Sequence, residues 1–104
     1  MPQYQDSCPL CARPADVRPL ERERLLVRCP FCRPVILDER LFEVLANARR
    51  RNIAAVLDLV PGLSLASQRT CERGELLILT STNWVRVSLA HSHMREQPAG
   101  AGSV

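Results

Sequence analysis

Apolar and polar positions change their spacing several times along the chain, and each change marks an expected element. Glu21 to Arg28 alternates, with Leu25 and Val27 on one face, which predicts a strand, and Val35 to Leu37 predicts a shorter one. From Leu41 the spacing lengthens. Leu41, Val44, Leu45 and Ala48 fall at i, i+3, i+4 and i+7 behind Asp38, a capping residue, so a helix is expected to begin near Glu39. Ile53, Val56, Leu57 and Val60 repeat that stripe after Asn52, a second candidate cap, and Pro61-Gly62 is expected to stop it. Two helices joined at Arg50 to Asn52 are the preferred reading. One bent helix from Glu39 to Val60 is the alternative, because Leu45 and Val56 are nearly in phase.

Beyond Gly62 the pattern reads as strands. Leu63 to Thr70 is a weak one, Glu75 to Thr82 a strong one, and Val85, Val87 and Leu89 alternate with Arg86, Ser88 and Ala90 as a third. Short turns at Cys71 to Gly74 and at Asn83 then make an antiparallel β-meander. Two helices followed by a strand pair is also the order of a winged helix-turn-helix, whose second helix enters the major groove. Ile53 to Val60 offers little for that task, since it carries Asp58 and otherwise alanine and aliphatics.

Composition narrows the class. With 104 residues, 46% of them apolar and 24% charged, the chain suits one small globular core. Met1 to Ser7 is polar and unlike a signal peptide, and the longest apolar tract, Ile53 to Ala66, is broken by Asp58 and Pro61-Gly62. A cytoplasmic protein without a membrane role is expected. Aromatic residues are few (Tyr4, Phe31, Phe42 and Trp84), too few for a platform that stacks successive bases, although Phe31 can supply one contact.

Cysteine placement carries the strongest chemical signal. Cys8-Pro9-Leu10-Cys11 and Cys29-Pro30-Phe31-Cys32 are two CPxC pairs at the spacing of a four-cysteine zinc site. A two-residue gap lets each turn aim both sulfurs at one ion, and the proline stiffens the turn. Pro14 and Pro19 are expected to make turns between the pairs. Rubredoxin-like iron and a dithiol switch remain open beside a single structural Zn2+. Four thiolates around Zn2+ contribute a charge of −2, which takes the formal +3 of the chain to about +1.

On these two pairs the chain resembles the zinc-ribbon superfamily over residues 6–37. The resemblance implies two cysteine knuckles at the ends of a β-hairpin, often a third strand, here Val35 to Leu37, and a binding module that docks on nucleic acid or on transcription, translation or multienzyme machinery. Ala12 and Arg33 stand where many such turns carry glycine. The expected architecture is α+β: a zinc ribbon (1–37), a small α+β unit packed on it (38–96) and a disordered tail (97–104).

No catalytic constellation emerges. Glu21 and Glu23 alternate with Arg22 and Arg24 as a salt-laced surface, Cys71 has acidic neighbours in Glu72 and Glu75, and no glycine-rich phosphate loop is present. Cys71, His91 and His93 can be imagined as a second metal site, but exposed residues near a mobile tail are the simpler expectation. All the basic residues are arginine. Arg22, Arg24, Arg28, Arg33, Arg49, Arg50, Arg51, Arg69 and Arg73 are the candidate nucleic-acid contacts, with Arg49 to Arg51 alternatively a solvated last helical turn. A non-enzymatic regulator that binds nucleic acid or transcription machinery is therefore expected. A protein-interaction adaptor with a structural zinc is the alternative, and no small-molecule substrate is evident.

Overall fold

Three short antiparallel strands after the first cysteine pair form the centre of one sheet. The computed structural model describes residues 4–91. The strands are β1 (Tyr4–Ser7), β2 (Pro14–Leu20), β3 (Arg24–Arg28), β4 (Val35–Asp38) and β5 (Leu77–Leu79), hydrogen-bonded in that order. β1 to β4 are successively antiparallel, whereas β5 lies parallel to β4. Parallel neighbours need a long crossover. It is supplied by α1 (Glu39–Arg51), α2 (Ala54–Leu57) and α3 (Val60–Glu72). The chain is helical again over 84–91, and its final stretch, including the tail expected at 97–104, lies outside the described residues. The mixed α+β class is as expected.

Strand alternation sends one face of the sheet into the core. Val17, Val27, Val35 and Leu77 form one cross-strand row, and Leu25, Leu37 and Leu79 another. All but the half-buried Leu77 are buried, and they pack with Leu41, Phe42 and Leu45 of α1 and Leu63 of α3. The other face is the row Arg18, Leu26, Ile36 and Ile78, none of it fully buried, with Ile78 42% exposed. Among the described residues, helices therefore cover one side only.

Asp38 starts α1 as expected and does more. Its Oδ1 accepts the Leu41 N–H at 2.6 Å, and its Oδ2 accepts the Ser81 N–H at 2.8 Å, tying the β4–α1 junction to the loop after β5. Asn52 ends α1 rather than beginning the next helix. It takes the left-handed conformation, φ 55°, and its N–H returns to the Ala48 carbonyl. The single bent helix is excluded by this break, and the second helix shrinks to Ala54–Leu57.

The expected meander does not form. Pro61 sits in the first turn of α3, where its missing N–H has no intrahelical acceptor to lose, so Pro61-Gly62 opens a helix instead of closing one. Leu63, Ala66, Ser67 and Thr70 are its buried stripe. Serine and threonine on the inner face disguised that helical period as weak alternation. The same holds over 84–91, where Trp84, Val87, Ser88 and His91 face inward and Val85 and Leu89 outward. A reciprocal cap begins that helix: the Asn83 N–H donates to Thr80 Oγ1 at 3.1 Å and the Thr80 N–H to Asn83 Oδ1 at 2.8 Å. Only Leu77–Leu79 of the strong strand remains. With residues 85–89 helical and β5 paired to β4, the strand pair of a winged helix is absent among the described residues. Glu21 to Glu23 form the β2–β3 turn rather than the start of a strand, and Pro14 and Pro19 lie within β2.

Asp38→Ala removes two N–H acceptors at one stroke. Stability is expected to fall by about 1–2 kcal/mol, and the thermal midpoint by roughly 5–10 °C. Asp38→Asn keeps the helix cap and should lose about half as much. Thermal melts of the two variants check both statements.

Candidate metal centre

Each cysteine pair occupies a turn at the same end of the sheet: Cys8 follows β1 and Cys29 follows β3. The two turns have the same construction. In the first, the Ala12 N–H donates to the Cys8 carbonyl at 2.7 Å; in the second, the Arg33 N–H donates to the Cys29 carbonyl at 2.8 Å. Closing them requires the left-handed conformation, and Ala12 and Arg33 adopt it at φ 67° and 73°. The absent glycines thus leave the geometry intact at a cost of about 1 kcal/mol per turn.

The four sulfurs converge. Cys8, Cys11, Cys29 and Cys32 place their Sγ atoms within 4.8 Å of one another, and Cys11 and Cys29 are 3.4 Å apart. A disulfide needs ~2 Å, whereas sulfurs bonded to one tetrahedral ion at ~2.3 Å stand about 3.8 Å from each other. All four are free thiols, and the cluster fits a single ion. Cys8, Cys29 and Cys32 are buried and Cys11 is half-buried. Backbone amides address the sulfurs: Leu10 N–H points to Cys8 Sγ and Cys32 N–H to Cys29 Sγ, each at 3.4 Å.

Without an ion Cys8, Cys11 and Cys29 differ. The Cys32 sulfur and burial push Cys8 far up, and burial with the Cys11 sulfur pushes Cys29 up. Burial also works against a charged Cys11, but the Arg13 backbone N–H and hydrogen bonds from Cys29, Cys32 and the Arg13 side chain outweigh it and bring Cys11 down to about 7. Cys8 and Cys29 are therefore protonated at neutral pH, and an ion must displace their protons.

α1 and α3 hold the cluster from two sides. Arg49 Nη2 donates to the Pro9 carbonyl of the first turn at 3.2 Å. Ser67 Oγ donates to the Arg33 and Pro34 carbonyls beside the second turn, and Ser64 Oγ lies 3.1 Å from Cys32 Sγ.

The candidate arginines do not form one surface. Arg28 and Arg33 line a shallow groove of about 370 Å³ with Asp16, Cys29, Pro30 and Pro34. Arg49 and Arg50 line a separate cleft of about 460 Å³ with Cys8, Phe42 and Glu43, and Arg51 is exposed beside them. Arg22 and Arg24 lie around the far end of the β2–β3 hairpin, roughly 13 Å along β3 from Arg28. Arg69 is half-buried on α3, and Arg73 pairs with Glu75 at 3.5 Å. Arg13 was not singled out from sequence. Its guanidinium lies 3.9 Å from the centroid of Phe31, which is 49% exposed. The only sequence hint was its place two residues after Cys11, opposite a turn that carries an aromatic.

Cys71 closes α3 instead of sitting in a turn, and His91 Nδ1 lies 3.0 Å from the Val87 carbonyl. Among the described residues neither joins a second group of three metal-suited ligands, and His93 lies outside that range. No helix among the described residues is long and apolar enough to cross a membrane. No protein-family model, curated protein or solved structure matches the chain.

Titration of the metal-free chain with Zn2+ or Co2+ is expected to saturate at one ion per chain with release of protons. Displacing at least two protons makes the apparent affinity fall on the order of 100-fold between pH 7 and pH 6, measured by chelator competition. Ala12→Gly relieves one left-handed residue and should raise stability by about 0.5–1 kcal/mol, read as a higher thermal midpoint of the metal-loaded chain.

Proposed function

We propose that the chain is a non-enzymatic zinc-binding module that binds nucleic acid through the end of the sheet where the cysteines lie. The four-thiolate donor set supports Zn2+, and four protein ligands leave no open coordination position for water or substrate. The metal is then structural.

One observation carries the nucleic-acid reading. Arg13 lies over the half-exposed Phe31 ring, with Arg33 beside it and Arg28 across the neighbouring groove. Guanidinium groups held at the rim of rigid turns suit phosphate oxygens, and a ring at the tip suits a sugar or base edge. Contacts of this kind position the protein on a backbone and imply little sequence selectivity. A regulatory role in transcription would need a further determinant or a protein partner.

A second reading, a protein-interaction adaptor, is favoured by the uncovered sheet face. Leu26, Ile36 and Ile78 form a continuous apolar row there. The arginines would then serve only to offset the −2 charge of the zinc–thiolate centre.

Fluorescence anisotropy with labelled duplex DNA, single-stranded DNA and RNA separates the two. Three phosphate contacts predict that affinity falls about 40-fold between 50 and 200 mM salt, and replacing Arg13, Arg28 and Arg33 together by alanine should remove most of that dependence. Absence of binding at 50 mM salt, or a triple variant that binds as the original does, overturns the nucleic-acid reading and leaves the adaptor.

A further inference from the structure

We propose that Ser64, oriented by Gln68, donates its hydroxyl proton to the metal-bound Cys32 thiolate and replaces a backbone donor that Pro34 cannot supply. The two cysteine turns are equivalent, residue for residue, through the left-handed positions Ala12 and Arg33. In the first, the next residue is Arg13, which has a backbone N–H to offer and lies close enough to Cys11 to favour its thiolate. In the second, the next residue is Pro34, which has no N–H. The matching sulfur, Cys32 Sγ, is fully buried and would have no donor from its own turn.

α3 fills the gap. Ser64 Oγ lies 3.1 Å from Cys32 Sγ, and Ser64 is itself buried. Gln68, one turn further along, donates its Nε2–H to Ser64 Oγ at 3.3 Å. An amide nitrogen only donates, so it occupies a hydroxyl lone pair and leaves the Ser64 proton free for the sulfur. A metal-bound thiolate has no proton and only accepts. The bond is charge-assisted, and it makes α3 part of what retains the ion. Ser67, on the same helix face, holds the Arg33 and Pro34 carbonyls and keeps the helix in register with the turn.

The test reads the rate at which the Zn2+-loaded full chain gives up its ion to excess chelator, together with the thiolate-to-metal charge-transfer band of the Co2+ form. Ser64→Ala is expected to release the ion about 10-fold faster and to shift that band. Adding Pro34→Ala to Ser64→Ala restores an N–H to the turn and should recover at least half of the loss on a logarithmic scale, which a packing role for Ser64 would not produce. Gln68→Glu turns the Ser64 proton away from sulfur toward a carboxylate and should also speed release. It tests the relay even if Ser64→Ala folds poorly. A folded Ser64→Ala chain that holds its ion as the original does, or a Gln68→Glu chain that does so, overturns the proposal. The inference rests on the zinc reading of the quartet and not on nucleic acid. If the unsubstituted chain takes up no Zn2+, that reading fails before any variant is compared.

Discussion

Four sulfurs that must meet at one point set the terms for everything around them. The two turns that bring them together end β1 and β3, so these strands must flank β2 in the same direction and finish near the same end of it. The register delivers this, with Ser7 opposite Pro14 and Asp16 opposite Arg28 just before the second turn. A sheet this small buries too little apolar surface to be stable alone. Cys8, Cys29 and Cys32 belong to the same buried cluster as Val27, Val35 and Leu63, so the centre and the hydrophobic core are one body. Without an ion, several thiols stand in that core with one another, the Leu10 and Cys32 amides and Ser64 as their partners.

Helices brace the centre from opposite flanks. α1 starts at the far end of the sheet and, at ~1.5 Å per residue, returns about 15 Å to bring Arg49 to the first turn. α3 brings Ser64 and Ser67 to the second. Arginines near the cysteines thus divide by task. Arg49 holds a carbonyl, whereas Arg13, Arg28 and Arg33 border open surface.

Legibility from sequence followed the range over which each signal acts. The cysteine pairs, the Asp38 cap and most of the Leu41–Val44–Leu45–Ala48 stripe are local and strong, and the structure has them, except that Val44 is exposed and Phe42 is buried in its stead. α3 and the helix over 84–91 were hidden because Ser64, Ser67, Thr70 and Ser88 are buried, and a pattern that counts hydroxyl residues as outward inverts their period. Those hydroxyls have partners that only the fold brings near: Cys32 for Ser64, the Arg33 and Pro34 carbonyls for Ser67, and the Leu59 carbonyl for Ser88. Thr70 is bonded instead within its own helix, to the Ala66 carbonyl. Pro61 was misread for a different reason, since proline ends a helix in its interior but suits its first turn. The Arg13–Phe31 stack depends on two turns meeting, which no window of sequence contains.

The parallel seam between β4 and β5 differs from every other pairing in the sheet in the length of chain it must close. Every antiparallel pairing joins strands that are neighbours in sequence and closes a short loop, so each is inexpensive in chain entropy. β5 can join only after the whole crossover from Glu39 onward has folded back, which is the longest closure in the sheet. The strand that completes the sheet therefore has the longest stretch of chain to close on docking, and it is tethered at its far side by Asp38, whose carboxylate also holds Ser81. One aspartate thus couples the start of the first helix with the loop that follows the last strand.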